Sequence, residues 1–361
     1  IFIHRLGILF RHQIEATTMI GRGAQGRPWL LGQAGDLLSN REIRPNPSVA
    51  QKREIMLSHL DEISPLREIQ QKPLCKKLNQ ISSKEIFTSS NFQSIEIFKT
   101  NLYKKKVIFF PGWLGHKDSK YLIPLAHLLH TNNFDIIRIH PVDHGNTEHL
   151  NKDFFRATDI QTLIEAVKFI GNKYQDSEIH LIGFSLGGNI SLRISTSDSI
   201  DFLKSTIVLS PVIDPEISML TMDNTAWILK KYFIDKWRRT LIRKIRFHNI
   251  ANAEEALKYK NLEEMTEFFT KNFSPHKNVK ELFSGYAITQ GTLNQIKHNT
   301  LIYSSIDDPC VPIGPLQELV QTDYVKFKPQ EYGGHCGFID DFKFSSSVYD
   351  EILRKLDKDK I

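Results

Sequence analysis

The chain has 361 residues and a formal net charge of +6, with 40% hydrophobic and 24% charged residues. This length accommodates one large α/β domain plus an appendage, and the composition is typical of a cytoplasmic enzyme. The 3 cysteines without pair spacing argue against a disulfide-stabilised scaffold, and the modest charge argues against a nucleic-acid partner.

Two further classes of protein are disfavoured by local patterns. The apolar run 2–10 is short and contains His4 and Arg5, so it predicts neither a transmembrane segment nor a signal peptide. The chain carries no C-x-x-C or H-E-x-x-H motif. We therefore expect no bound metal and no cofactor.

The first 70 residues differ from the remainder in their basic side chains. They hold 8 of the 16 arginines but only 1 of the 31 lysines. One chain with one codon bias seldom changes so abruptly, and the shift indicates two origins. We predict an appendage over residues 1–70 and a separate domain over residues 71–361.

A short motif in the appendage resembles a known enzyme family. Residues 18–68, which begin TMIGRGAQGRPWLL, resemble the end of the barrel of bacterial tRNA-dihydrouridine synthases, flavoenzymes built on a TIM barrel. In that family a Gly-Arg pair after the last strand contacts the FMN phosphate, and Gly21 and Arg22 match it, while Pro45–Glu62 fits the following helix. Because a TIM barrel needs about 250 residues, we expect a truncated fragment with a vestigial FMN-phosphate loop that binds no flavin. A chance glycine-rich helix entrance is the alternative interpretation.

The order of elements beyond the appendage predicts an α/β sheet. Lys84–Thr88 and Gln93–Lys99 read as an antiparallel edge. Beyond them, predicted strands alternate with helices: strands at 105–110, 134–140, 178–182 and 204–210, and helices near 118–131, 156–173 and 188–195. Such alternation predicts a doubly wound, mostly parallel sheet.

A candidate nucleophile lies between the strand at 178–182 and the helix that follows it. The residues Gly183-Phe184-Ser185-Leu186-Gly187 form a G-x-S-x-G motif at this junction. In α/β hydrolases this turn exposes the serine hydroxyl, and glycines two residues on either side let the strand and the helix approach closely. Ser185 is thus the predicted nucleophile, with an ordinary glycine-rich turn as the alternative.

An acid and a histidine follow in the chain order that this fold requires. Strands predicted at 299–304 and 324–328 lead into Asp307-Asp308-Pro309 and into Gly333-Gly334-His335 respectively. The carboxyl ends of parallel strands meet at one sheet edge, so both side chains can reach Ser185 there. His335 is the predicted general base. Asp308 is preferred to Asp307 because it stands three residues before Val311-Pro312, a spacing common in these enzymes; a loop histidine without a role is the alternative for His335.

Two backbone N–H groups are predicted to stabilise negative charge on the substrate oxygen. Leu186 directly follows the nucleophile, and Trp113 lies in the loop after the strand at 106–110. These are the positions from which α/β hydrolases build an oxyanion hole. An ordinary turn between a strand and a helix is the alternative for the loop that holds Trp113.

A helical insertion is predicted over residues 214–297, where α/β hydrolases carry a cap. Its longest segment, Ala226–Ile245, mixes basic residues with aromatic ones such as Trp227 and Phe233. Some of these aromatic rings are expected to select acyl substrates, although most should only pack the cap onto the sheet.

Taken together, four motifs resemble the YheT-like branch of the α/β hydrolases over residues 85–357. They are PGWLGHKDSKY at 111–121, GFSLGGN at 183–189, DDP at 307–309 and GGHCGF at 333–338. Pro111 replaces the histidine that this family usually has before Gly112, which affects the expected geometry of the oxyanion loop.

The resemblance implies a serine hydrolase that cleaves small-molecule acyl esters through an acyl-enzyme intermediate. A hydrolase-fold protein that binds a ligand without turnover is a second hypothesis, which does not require the complete set of Ser185, Asp308 and His335. A flavin-dependent tRNA-modifying enzyme is a third, and the missing barrel argues against it.

Overall fold

The computed structural model describes residues 71–225, 227–340 and 345–357. The predicted appendage of residues 1–70, including Gly21 and Arg22, lies outside the described residues, and the first described element is a helix at 71–80. We call this helix α1.

Eight strands form one sheet in the order β1-β2-β4-β3-β5-β6-β7-β8. The strands are β1 Ser83–Thr88, β2 Ser94–Lys99, β3 Lys105–Phe110, β4 Phe134–His140, β5 Glu178–Phe184, β6 Leu203–Leu209, β7 Asn299–Ser305 and β8 Val325–Gln330. The pairs β1–β2 and β2–β4 are antiparallel, and the other neighbours are parallel. The predicted antiparallel edge and the mostly parallel sheet are confirmed.

Helices cover both faces of the sheet. They are α2 Ile123–Thr131, α3 Gln161–Lys173, α4 Leu186–Ile194, α5 Pro215–Asn224, α6 Trp227–His248, α7 Leu262–Phe273, α8 Val279–Ser284, α9 Gln290–Gln295, α10 Gly314–Gln317 and α11 Ser347–Asp357. Short 3₁₀ turns occur at Asp198–Ile200 and Ala253–Lys258. Two helices begin at residues other than those predicted. Helix α2 begins five residues later than expected, after turns, and α4 begins earlier than expected, directly after Ser185.

The alternation of side chains along β3 explains why both faces need cover. Val107 and Phe109 point into a cluster formed with α1, α2 and α11. Ile108 and Phe110 point the other way, into a cluster formed with α3 and α4. All four side chains are fully buried, as expected for a strand in the middle of a parallel sheet.

The predicted cap is present between β6 and β7 and consists of α5 to α9. Its long helix α6 is fixed by two ion pairs to the loop that follows β4. The Lys244 ammonium lies 2.5 Å from the Asp143 carboxylate, and both side chains are buried. Arg243 pairs with Glu148, whose side chain is also buried. The C-terminal half of α6 is therefore attached to the sheet by charge as well as by packing.

Candidate active site

Ser185 occupies the sharp turn between β5 and α4. Its backbone has φ +53° and ψ −120°, a left-handed conformation that is uncommon for residues other than glycine. Such a conformation costs about 1–3 kcal/mol and occurs mainly at functional sites. The backbone N–H of Ser185 donates a hydrogen bond to the Leu209 carbonyl at the end of β6, at 2.9 Å. The turn is thus held by the neighbouring strand with the serine at the sheet edge.

The two motif glycines are required by close backbone contacts. A Cβ atom at Gly183 would lie 2.3 Å from the Gly187 carbonyl oxygen. A Cβ atom at Gly187 would lie 2.4 Å from the carbonyl oxygens of Phe110 and Pro111. Since these are backbone atoms that cannot rotate away, glycine is needed at both positions for α4 to pack against β5 and the end of β3.

Three side chains that are distant in sequence form one chain of hydrogen bonds at this edge. The His335 Nε2 lies 3.0 Å from Ser185 Oγ, and His335 Nδ1 lies 2.9 Å from Asp308 Oδ2. Asp308 lies in the loop after β7, and His335 lies in the loop after β8. An Nδ1–H that donates to the carboxylate leaves Nε2 free to accept the serine proton. The structure therefore brings together the three residues that the sequence singled out.

The two adjacent aspartates have different contacts. Asp308 Oδ1 accepts hydrogen bonds from the backbone N–H groups of Cys310 and Val311, at 2.8 and 2.9 Å, which fixes the carboxylate beside the imidazole. Asp307 Oδ1 instead accepts from the N–H groups of Gly333 and Gly334, at 2.9 and 2.8 Å. Asp307 thus holds the turn that carries the histidine. The sequence did not indicate this structural role, because it presents Asp307 only as the alternative to Asp308 as the acid.

The charge of Asp308 controls the basicity of the imidazole. Burial disfavours a charged ring, but the nearby carboxylate has the opposite effect and prevails, so the pKa of His335 lies well above its usual value of 6.5. Burial raises the pKa of the neighbouring Cys310 thiol to about 11. This thiol is therefore neutral near neutral pH, and Asp308 is the largest of the groups that raise the pKa of His335.

The first residues of the loop after β3 differ in their backbone hydrogen bonds. Pro111 has no N–H, and the N–H of Gly112 donates to the Tyr121 hydroxyl at 2.8 Å. Within the described part of the chain, the N–H groups of Trp113 and Leu186 have no hydrogen-bond acceptor. Leu186 is the first residue of α4, where backbone N–H groups lack intrahelical partners. Both N–H groups that are predicted to donate to the oxyanion therefore lack an acceptor within the described residues. The anchoring of this loop by Tyr121 was not anticipated from the sequence.

The cap contacts both the oxyanion loop and the acid loop. The ring of Trp113 stacks on Phe233 at a centroid distance of 6.2 Å and meets Trp237 edge-on at 5.0 Å. Phe233 also packs with Val311 beside the acid. By contrast, Trp227 is 45% exposed to solvent. Of the aromatic residues predicted on this helix, Phe233 and Trp237 are the ones that lie against the loops of the site.

His144, in the loop after β4, is buried and takes no part in this hydrogen-bond chain. Its Nδ1 lies 2.8 Å from the Val142 carbonyl oxygen, and its ring packs edge-on against Phe155. Burial lowers the pKa of His144 to about 3, so the ring is neutral and serves packing.

The known proteins that match this chain fall into two groups, and the first group matches the domain that the structure describes. A model for the alpha/beta hydrolase fold matches residues 105–342. Abhydrolase domain-containing protein 2 of Drosophila melanogaster is 21% identical over 254 residues, which cover 64% of this chain and 63% of that protein. A solved esterase from Pyrococcus furiosus has a TM-score of 0.54 at 16% identity, covering 78% of this chain and 94% of the esterase. The structure of 2,6-dihydroxy-pseudo-oxynicotine hydrolase has a TM-score of 0.52 at 16% identity, and the match covers 76% of this chain and 67% of that protein.

The second match concerns the N-terminal part. A model for dihydrouridine synthase matches residues 10–99. The tRNA-dihydrouridine synthase B of Xanthomonas axonopodis pv. citri is 47% identical over 45 residues, which are 12% of this chain and 14% of that protein. The predicted resemblance to a fragment of this enzyme is confirmed. Although the matched range reaches residue 99, strands β1 and β2 pair within the hydrolase sheet.

Within the described ranges, no helix combines the length and the apolar character needed to cross a bilayer.

Proposed function

The chain belongs to the α/β-hydrolase family, and on this premise we propose that it is a serine hydrolase that cleaves carboxylic esters through an acyl-enzyme intermediate. The observation that carries the proposal is the continuous hydrogen-bond chain from Ser185 through His335 to Asp308, with distances of 3.0 and 2.9 Å. A protein that only binds a ligand does not require this alignment, nor the strained backbone of Ser185.

In the acylation step, His335 Nε2 takes the proton of the Ser185 hydroxyl as the oxygen attacks the ester carbonyl. Asp308 accepts the Nδ1–H throughout and stabilises the imidazolium that forms. The imidazolium then gives its proton to the departing alcohol. In deacylation a water molecule replaces the serine, and His335 acts as base again. No cofactor is required for any of these steps.

The backbone N–H groups of Trp113 and Leu186 are the proposed donors to the oxyanion. They need no reorganisation because one is fixed at the start of α4 and the other follows a residue anchored on Tyr121. Loss of one such donor costs about 3–4 kcal/mol of transition-state stabilisation in well-studied hydrolases.

The apolar cap favours substrates with an acyl chain over acetate esters. Phe233 and Trp237 line the side of the cap that meets Trp113. Each methylene buried there contributes about 0.8 kcal/mol. If the contact persists in the transition state, kcat/KM increases with chain length until the apolar surface of the cap beside Ser185 is covered. We therefore propose short-to-medium acyl esters as substrates and expect peptides to be poor ones.

The test is to label the purified full-length protein with a fluorophosphonate probe and to assay hydrolysis of p-nitrophenyl esters. Ser185→Ala should abolish labelling and lower kcat by about 10⁴- to 10⁶-fold, with an unchanged circular dichroism spectrum. The matched control is Ser199→Ala, because Ser199 is an exposed serine and its loss should change neither readout. If Ser185→Ala retains more than about a tenth of wild-type activity, the nucleophile is elsewhere, since loss of a triad member costs far more.

A further inference from the structure

A third potential metal ligand lies beside the proposed acid and base. Asp308, Cys310 and His335 each offer one donor atom, and these atoms lie within 4.8 Å of one another. No other group of three histidine, cysteine or acidic side chains with such spacing occurs among residues 71–225, 227–340 and 345–357. The cluster therefore stands out in the part of the chain that the structure describes.

Asp308 fixes the backbone of Cys310 next to the proposed acid and base. The backbone N–H of Cys310 donates to Asp308 Oδ1 at 2.8 Å. The residue is 2% exposed, and its sulfur has no hydrogen-bond partner in the described structure. A buried, unpartnered sulfur next to a carboxylate and an imidazole offers a donor that the proposed ester hydrolysis does not use.

Thiolate, imidazole and carboxylate are the donors that Zn²⁺ prefers. Zinc binds them at about 2.0–2.3 Å, which places tetrahedral ligands about 3.3–3.8 Å apart. The most widely separated donors thus need to approach each other by about 1.0–1.5 Å to hold one ion. The usual motif spacing is missing because the donors come from two loops, after β7 and after β8, and are adjacent only in the folded sheet.

We propose that Asp308, Cys310 and His335 bind Zn²⁺ or another thiophilic divalent cation, and that this ion inhibits the hydrolase reversibly. On binding, the Cys310 thiol loses its proton to solvent and the sulfur forms a bond to the metal. His335 binds through Nδ1, so the proton on this nitrogen moves to Nε2. An Nε2–H cannot accept the proton of Ser185, and attack on the ester stops. The inhibition rests on the proposed function, whereas the metal site does not.

Metal binding is tested directly by titrating Co²⁺ into the full-length protein and recording thiolate-to-cobalt charge-transfer absorption. Wild type and Ser185→Ala should both develop this band, because the serine is not a ligand. Cys310→Ala should lose it. The matched control is Cys336→Ala, which removes another buried thiol and should keep the band. Absence of the band in wild type, or its persistence in Cys310→Ala, overturns the proposal.

Inhibition is tested with Zn²⁺ in the p-nitrophenyl ester assay, with each variant normalised to its own metal-free rate. Wild type and Cys336→Ala should be inhibited and should recover on addition of a chelator, while Mg²⁺ should have no effect. Cys310→Ala should need at least about tenfold more Zn²⁺ for half-inhibition, since even the loss of a group that only hydrogen-bonds to a metal ligand weakens metal sites about 10- to 100-fold. Cys310→Ser provides a second variant if the alanine variant does not fold.

The two proposals fail separately. If the cobalt band forms but neither wild type nor any variant hydrolyses esters, the metal site stands and the proposed function is wrong. If esters are hydrolysed but Zn²⁺ inhibits wild type and Cys310→Ala equally, the metal site at these residues is wrong and the proposed function stands.

Discussion

Replacing Asp308 by asparagine removes the charge of the proposed acid while preserving its shape. The new side-chain oxygen can still accept from the N–H groups of Cys310 and Val311, which now donate to Oδ1. The amide NH₂ then takes the position of Oδ2, which lies 2.9 Å from His335 Nδ1. A donor at this position forces the imidazole proton onto Nε2, where it blocks proton transfer from Ser185.

The expected loss is large because the wrong tautomer is favoured in every molecule. The corresponding change in other serine hydrolases lowers kcat by about 10⁴-fold, which is about 5.4 kcal/mol of activation free energy. Asp307→Asn is the matched control, because its amide oxygen can still accept from Gly333 and Gly334. We expect this variant to lose less than about tenfold in kcat, since both hydrogen bonds remain possible.

The pH dependence of kcat/KM provides a second readout of the same perturbation. His335 must be neutral to act as a base, so kcat/KM increases as the pH passes through its pKa. In the wild type the midpoint should lie above 6.5, because the Asp308 charge outweighs burial. Without that charge the largest influence that raises the pKa is gone while burial still lowers it, so the midpoint should fall in Asp308→Asn.

We test the assignment of the acid by steady-state kinetics with p-nitrophenyl butyrate from acid to alkaline pH. Thermal unfolding of each variant checks that the fold is retained. A loss in Asp307→Asn that equals or exceeds the loss in Asp308→Asn would refute the assignment of the acid. A wild-type midpoint below 6.5 would refute the electrostatic part of the reasoning even if the ranking of the variants holds.

Three further predictions concern the cap and the N-terminal segment. Lys244→Met leaves Asp143 buried without its cation, and urea unfolding should show a loss of about 3–5 kcal/mol; a loss below about 1 kcal/mol would mean that water reaches the carboxylate. Phe233→Ala should flatten the dependence of kcat/KM on acyl chain length, whereas the exposed Trp227→Ala should not; equal profiles would show that this part of α6 only packs. The full-length protein should be colourless, and deletion of residues 1–70 should leave ester hydrolysis within a few-fold; stoichiometric bound FMN would contradict the interpretation of this segment as a fragment.

Local patterns predicted the sheet closely. The expected strands at 105–110 and 134–140 have the observed bounds, because continuous apolar runs mark strands that are buried on both faces. The predicted start of α2 near residue 118 is too early, since the apolar pattern does not reveal the turns before Ile123. Its N-terminus is marked instead by Pro124 in the first helical turn.

Contacts between distant loops could not be predicted in the same way. The motif order singled out Ser185 and His335 as candidates, but it did not indicate that Asp307 accepts hydrogen bonds from the histidine turn or that Tyr121 accepts one from Gly112. Such pairs depend on how neighbouring strands are aligned at the sheet edge. A side chain in one loop meets a backbone group in another only after that register is fixed.

The unequal attachment of α6 defines how the cap can move. Near its C-terminus, Arg243 and Lys244 form ion pairs with buried acids, and separating charges at such sites is costly. Toward its N-terminus, Phe233 is held by packing alone, including a ring contact with Trp113; such ring pairs add only about 0.5–1.5 kcal/mol beyond the burial of their apolar area. If the cap moves, we expect α6 to pivot about this C-terminal half, so that its N-terminal half separates from the loop that holds Trp113 first.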